Sequence, residues 1–232
     1  MHWIHKYISG FVSLFYPKFC YACKNSLLGN EKVVCTVCMH TLPETGFCNS
    51  SENPVEKLFW GRIKVENASA FLFYDKQSKY GHLLHEFKYK GYQEIGLFLG
   101  ELFGSRLINT SYNDIDLIVP IPLHFSKLRS RGFNQSEIFG AGISKALSKP
   151  FMGNVLRRNI FTSTQTRKGR YDRWKNVEGI FSVINPELIR NKHILLIDDV
   201  VTTGATLEAA GTEILKIEGT KLSIAALAYA HA

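Results

Sequence analysis

His193-Ile-Leu-Leu-Ile-Asp-Asp-Val-Val-Thr-Thr-Gly-Ala-Thr206 is the stretch that decides how the rest of the chain is read. Ile194 to Ile197 form a continuous apolar run, the pattern of a parallel strand covered on both faces. Asp198 and Asp199 follow, where the strand is expected to leave the sheet. Carboxylates at a strand's carboxyl end stand beside the crevice in which open α/β sheets bind ligands, and each of the two can accept a hydrogen bond from a sugar hydroxyl. Thr202, Thr203, Gly204, Ala205 and Thr206 then supply hydroxyls, small side chains and one residue free to take left-handed backbone angles, just ahead of a helical pattern. A helix starting there offers unpaired N–H groups and the positive end of its dipole, so the turn suits a phosphate. The ligand read from these residues is a ribose phosphate. The plainer alternative is an ordinary strand, turn and capped helix. No Gly-Lys-Ser/Thr follows, which excludes a Walker-type loop.

The chain has 232 residues, 45% hydrophobic and 21% charged, enough for one substantial α/β domain with a small appendage. It contains no internal repeat and no apolar run long enough to cross a bilayer. Ile4, Ile8, Phe11, Val12 and Phe15 recur at helical spacing, which predicts a short helix docked on the body rather than a signal peptide, and therefore a cytoplasmic protein. A formal charge of +8 favours anionic partners and leaves both nucleic acid and a polyphosphorylated small molecule open.

Cys20-Tyr-Ala-Cys23 and Cys35-Thr-Val-Cys38 are two knuckles whose thiolates can complete a tetrahedral four-sulfur shell for structural zinc. Such a site has no open coordination position and would supply folding free energy rather than chemistry. The alternative is two reduced or redox-active cysteine pairs. His40 and Cys48 are surplus to a complete shell, and Cys48 is expected to be a free thiol. The organisation predicted is residues 1–48 as an N-terminal helix and zinc-binding segment, 49–62 as a linker with Pro54 and Gly61, and 63–232 as the main domain.

Within that domain, Ala68 to Tyr74 reads as a strand and Lys79 to Gly104 as two helices broken near Gly91. The segment from His85 to Tyr92 interleaves cations with aromatics. It suits stacking of bases, but a helix burying its aromatics and leaving Lys88 and Lys90 wet explains it more simply. Ile118 to Pro122 reads as a strand stopped by prolines, followed by a loop with Lys127, Arg129 and Arg131 and a helix from Gly132-Phe-Asn-Gln135 to about Leu147. A basic loop at that strand end can hold a pyrophosphate, or simply be a surface loop. Between Arg157 and Lys175 the cations, Arg167, Lys168 and Arg170 among them, face the single acid Asp172 and call for an anion or a loose loop. Gly179 to Ile184 reads as a strand, Thr206 to Gly219 as a helix and Leu222 to Tyr229 as a last buried strand.

The apolar run, paired acids and Thr-Thr-Gly-x-Thr of 193–206 resemble the phosphoribosyl pyrophosphate (PRPP) motif of type I phosphoribosyltransferases. With the four-cysteine segment, Pro120-x-Pro122, Arg131-Gly-Phe-Asn-Gln135, and the basic stretch running to Asn176-Val177 and Phe181, the whole chain resembles the ComF family. The resemblance implies an α/β type I phosphoribosyltransferase fold, a Rossmann-like parallel sheet flanked by helices with a hood, behind an N-terminal zinc finger. It implies ribose hydroxyls on Asp198 and Asp199, the 5′-phosphate on Thr202 to Thr206, and pyrophosphate near Arg129 and Arg131. A hood-side loop with Arg167, Lys168 and Arg170 would close over PRPP, and Mg²⁺ would accompany it. The implied role is transfer of a phosphoribosyl group with release of pyrophosphate, linked to competence and DNA uptake. The alternative is a non-catalytic accessory protein that binds single-stranded DNA and works with competence proteins. No catalytic acid or base is implied, and the acceptor is open.

Overall fold

In the run from Ile194 to Ile197 successive side chains alternate between two apolar layers, which is possible only for a strand with both faces covered. A computed structural model describes residues 17–159 and 179–230 and places this run in strand β5 (His193–Val201). Strands β1 (Asn67–Phe73), β2 (Leu117–Pro120), β5 and β6 (Lys221–Tyr229) form one parallel sheet in the order β1-β6-β5-β2. Leu195 and Ile197 join one core with Phe71, Ile118 and Leu227, whereas Ile194 and Leu196 join a second core with Ala70, Val119 and Ile224.

The strand does not end at the acids. β5 continues through Asp198 and Asp199 to Val201 because β6 runs alongside it, with Asp198 opposite Ala226 and Val201 opposite Tyr229. The carboxylates therefore belong to the last stretch of a rigid strand instead of to the loop after it.

Helices α1 (Thr36–His40) and α2 (Pro54–Lys57) precede the sheet in sequence. The first core is closed by α3 (Lys79–Tyr89), α4 (Gln93–Leu107) and α6 (Gln135–Leu147), the second by α7 (Ala205–Leu215). Helices α4 and α6 cross with their backbones in contact. A Cβ on Gly100 would lie 2.2 Å from the Phe139 carbonyl, and one on Gly142 would lie 2.3 Å from the Leu97 carbonyl. The break between α3 and α4 falls at Gly91, whose φ is +79°.

The stretch expected to be a basic loop is helical. α5 (Phe125–Arg131) starts at His124, whose Nδ1 accepts from the Ser126 amide, and stops at Gly132 in the left-handed conformation. Asn134 then caps α6 by accepting from the Ser136 amide and ties it to the end of β2 through Nδ2 to the Ile121 carbonyl, 2.9 Å.

The cysteine segment lies on the first core. Cys20 and Cys38 are buried in it, Thr45 N and Phe73 N bond to the carbonyls of Phe71 and Pro43, and Arg106 holds Glu44 with two hydrogen bonds. Residues 43–45 thus cover the free edge of β1. Within 49–62, Val55 and Phe59 are fully buried in the second core and Asn53 caps α2, so this stretch packs as well as connects.

A separate antiparallel pair, β3 (Leu156–Arg158) and β4 (Phe181–Val183), flanks the gap between the described regions. Asn159 bridges the gap with its side chain on the Gly179 carbonyl at 2.6 Å. The lid candidates Arg167, Lys168 and Arg170 and the N-terminal helix expected from Ile4 to Phe15 lie outside the described residues. Among the described residues no helix is long and apolar enough to cross a membrane.

Candidate functional site

Four elements meet at the carboxyl end of β5. The strand presents Asp198 and Asp199, the turn 202–204 leads into α7, α3 contributes Lys88, and the α5–α6 junction contributes Arg131, Gln135 and Ser136. Ser136 Oγ donates to Asp198 Oδ1 at 3.2 Å, and the Asp199 amide donates to the same oxygen at 2.8 Å. Burial and the adjoining Asp199 carboxylate push Asp198 up to about 7, although the Asp199 amide, Ser136 and Lys88 pull it the other way.

Asp199 Oδ2 is 2.8 Å from Lys88 Nζ and 3.7 Å from Arg131 Nη1. Arg131 is held in turn by Gln135 Oε1 at 2.8 Å and by the Tyr89 ring, 5.1 Å from its guanidinium carbon. Gln135 is 1% exposed, and among the described residues its Nε2 and Ser69 Oγ are the buried side-chain atoms without a hydrogen-bond partner. A buried donor left unpaired costs about 1–3 kcal/mol, so a site that keeps one is short of an acceptor.

Gly204 occupies the N-cap of α7 with φ +76°, and a Cβ there would lie 3.0 Å from the Phe59 ring. The first bond into the helix runs from the Glu208 amide to the Gly204 carbonyl at 2.8 Å. Among the described residues nothing bonds the amides from Thr202 to Leu207, and Thr202, Thr203, Ala205 and Thr206 are exposed. Arg62 fixes the turn from behind, donating to the Thr203 carbonyl at 2.8 Å and pairing with Glu208. The result is a row of free N–H donors at a helix N-terminus, directly after two carboxylates.

Of the residues singled out from sequence, Asp198, Asp199, Thr202 to Thr206 and Arg131 are brought to this end of the sheet. Arg129 and Lys127 lie on the exposed side of α5 without an ion-pair partner among the described residues. Lys88 corrects an expectation: it is 16% exposed and paired, not wet. The buried stripe of α3 carries Gly81, Leu84 and Phe87, and Lys88 stands four residues after Leu84 on that stripe, a periodicity that signals burial. Ser136 and Gln135 carry no comparable signal beyond their place in Arg131-Gly-Phe-Asn-Gln135.

The sulfurs of Cys20, Cys23, Cys35 and Cys38 all lie within 4.8 Å of one another, and Cys23 and Cys35 are 3.7 Å apart. Sulfurs at about 2.3 Å around a tetrahedral zinc are about 3.8 Å apart, so the donor set fits that ion. Burial works against ionising Cys20, yet amide donors from Cys23, Cys35 and Ala22 bring it down to about 7, while burial and its thiol neighbours push Cys38 up to about 12. A divalent cation removes that conflict by stabilising all four thiolates. Cys48 is outside the cluster, packs against the first core, and among the described residues its thiol donates to the Arg106 carbonyl at 3.8 Å.

A model of the phosphoribosyl transferase domain family matches residues 130–232. Competence protein F of Haemophilus influenzae is 25% identical over 231 residues, spanning 91% of this chain and 96% of its own. Competence protein ComFC of Bacillus subtilis is 27% identical over 199 residues, 86% of this chain and 78% of its own. DNA utilization protein YhgH of Escherichia coli is 30% identical over 129 residues, 54% of this chain and 56% of its own.

Proposed function

We propose, starting from the membership of this chain in the ComF family of type I phosphoribosyltransferase-like proteins, that it binds PRPP at the end of β5 and transfers its phosphoribosyl group with release of pyrophosphate. The observation that carries this reading is the run of amides from Thr202 to Leu207, bonded to nothing among the described residues, directly after the paired acids. The 5′-phosphate is taken by those amides and by the exposed hydroxyls of Thr202, Thr203 and Thr206. Asp198 and Asp199 accept from the ribose hydroxyls, and Arg131 faces the pyrophosphate.

A sugar ring losing its leaving group gains positive charge, and two fixed carboxylates beneath it stabilise that charge by placement and field. Cations beside the leaving group accept its negative charge. No side chain of the site is required as a general base when the acceptor is an amine. Mg²⁺ fits here as a hard cation bound through one or two carboxylates plus the oxygens of the ligand, and would neutralise charge on the pyrophosphate. Cys20, Cys23, Cys35 and Cys38 would hold Zn²⁺ as a closed structural site that fastens the segment to the first core, apart from the chemistry. In this reading the protein works in the cytoplasm, a reducing compartment in which four cysteines at metal spacing hold a metal rather than pair as disulfides. Calorimetric titration with PRPP and Mg²⁺ tests the reading: binding by the natural chain and none by Asp198→Asn/Asp199→Asn supports it, and equal affinity of the two removes it.

A second reading, a single-stranded DNA-binding accessory protein of DNA uptake with a regulatory or vestigial PRPP pocket, is favoured by a different surface. A groove of about 1230 Å³ runs between the cysteine segment and helices α3 and α4; its lining holds Lys18, Lys32 and Lys90, Lys24 and Lys145 paired with Glu86 and Glu101, Glu94, and the exposed rings of Phe19 and Tyr92. Lysines beside stacking platforms suit a single strand. Fluorescence anisotropy with an oligothymidylate gives an affinity falling steeply with salt if phosphates release counterions there; a flat salt dependence removes this reading.

A further inference from the structure

The surroundings of Asp199 hold more donors and more positive charge than that carboxylate uses. Lys88 and Arg131 reach one of its oxygens at 2.8 and 3.7 Å, with side chains 16% and 10% exposed. An ammonium has three donors, and Lys88 is held beside Asp199 as an ion pair at 2.8 Å. Gln135 Nε2, on the amide that holds Arg131, donates to nothing among the described residues. Two largely desolvated cations share one oxygen of Asp199, and the neighbouring Asp198 already accepts from Ser136 and the Asp199 amide. With an idle buried donor alongside, the arrangement has hydrogen-bonding capacity left for a further anion.

We propose that Lys88 is a ligand-binding residue of this site, remaining on Asp199 while its free donors engage a diphosphate group carried by the ribose. This rests on the sugar-phosphate reading above and assigns the opposite end of the same ligand. Asp199 precedes Thr202 by three residues, at most about 10 Å of extended chain, so the phosphate turn and Lys88 flank the space of one sugar. Lys88 comes from α3 and Arg131 from α5, and the diphosphate is gripped from two separate helices.

The test is calorimetric titration of the full chain with inorganic pyrophosphate, ribose 5-phosphate and PRPP, for the natural protein, Lys88→Met and Lys88→Arg. Lys88→Met is expected to weaken pyrophosphate and PRPP about tenfold or more, as loss of a charge-assisted hydrogen bond does, and ribose 5-phosphate less than about threefold. Lys88→Arg restores most of the loss. Should Lys88→Met unfold, Lys88→Gln, which keeps a donor without the charge, replaces it in the same comparison. Equal losses for all three ligands would reduce Lys88 to a support for Asp199, and no loss would remove it from the site; either overturns the proposal. Pyrophosphate binding that depends on Lys88 without any ribose 5-phosphate binding upholds the proposal and sinks the sugar-phosphate reading. Ribose 5-phosphate binding without pyrophosphate or PRPP binding does the reverse.

Discussion

The two ends of β5 both carry polar side chains that are largely out of water, and they treat them differently. At the amino end, His193 Nε2 meets Ser223 Oγ at 2.8 Å, the His193 amide donates to Asp116 at 2.8 Å, and Asn67 joins Ser223 to Ser111. Each of these groups finds its partner inside the fold. At the carboxyl end, among the described residues, Gln135 Nε2 has no acceptor, the amides from Thr202 to Leu207 are open, and two cations share one carboxylate. A polar cluster that satisfies itself is architecture, and one with hydrogen bonds left over is prepared for a ligand.

The largest change expected from any substitution lies outside both clusters. Replacing Cys20 and Cys38 by Ser would remove two of the four thiols that fit a structural zinc, and the metal-binding free energy lost with such an ion, roughly 10–16 kcal/mol, exceeds the stability of most domains. Loss of one bound zinc per chain by metal analysis, with collapse of the thermal transition, is the expected result.

Asp198→Asn/Asp199→Asn comes next. It is expected to leave the fold standing and to remove the PRPP affinity proposed above, which calorimetry reads directly. His193→Ala is its counterpart at the other end. Five residues of strand, about 16 Å, separate His193 from Asp198, so the two substitutions act independently. His193→Ala is expected to lower stability by about 1–3 kcal/mol in denaturant titrations and to leave ligand affinity unchanged. A large loss of affinity in that variant would erase the distinction between the ends.

Acidity separates the ends more finely, because their slopes have opposite signs. Asp198 is raised from the ordinary carboxylate value near about 4 to about 7, so the folded chain holds its proton longer than the unfolded one. Its contribution to stability is therefore present at low pH and is lost as pH rises through that window. Burial lowers His193, so its contribution falls as pH drops below the usual histidine range. The melting temperature of Asp198→Asn relative to the natural chain should rise between about pH 4 and 7 and level above it. Ribose 5-phosphate affinity should climb with pH up to about 7 in the natural chain as Asp198 becomes a full acceptor, by a step absent from Asp198→Asn.

The comparison also marks what residues alone reveal. Ile194 to Ile197, the acid pair and the glycine turn form an unbroken window, and their chemistry is local enough to fix the strand, the turn and the helix start. The continuation of β5 through the acids depends on β6 alongside it, which no window around Asp198 contains. The helix at Phe125–Arg131 follows from a histidine cap and a left-handed glycine that read as loop chemistry. Lys88 meets Asp199 across more than a hundred residues of sequence, so its periodic place on α3 signals burial but not its partner. The cysteine spacing was plain, whereas its docking on α3 and α4 through Tyr21 to Glu94 and Lys24 to Glu86 is a tertiary fact.

The most direct measurement is backbone amide NMR of the full chain during titration with ribose 5-phosphate. The account predicts large, saturable shifts for the amides from Thr202 to Leu207 and little change at His193 and Ser223. Shifts that spare the turn while the sugar phosphate binds elsewhere, or no binding at all, would contradict it.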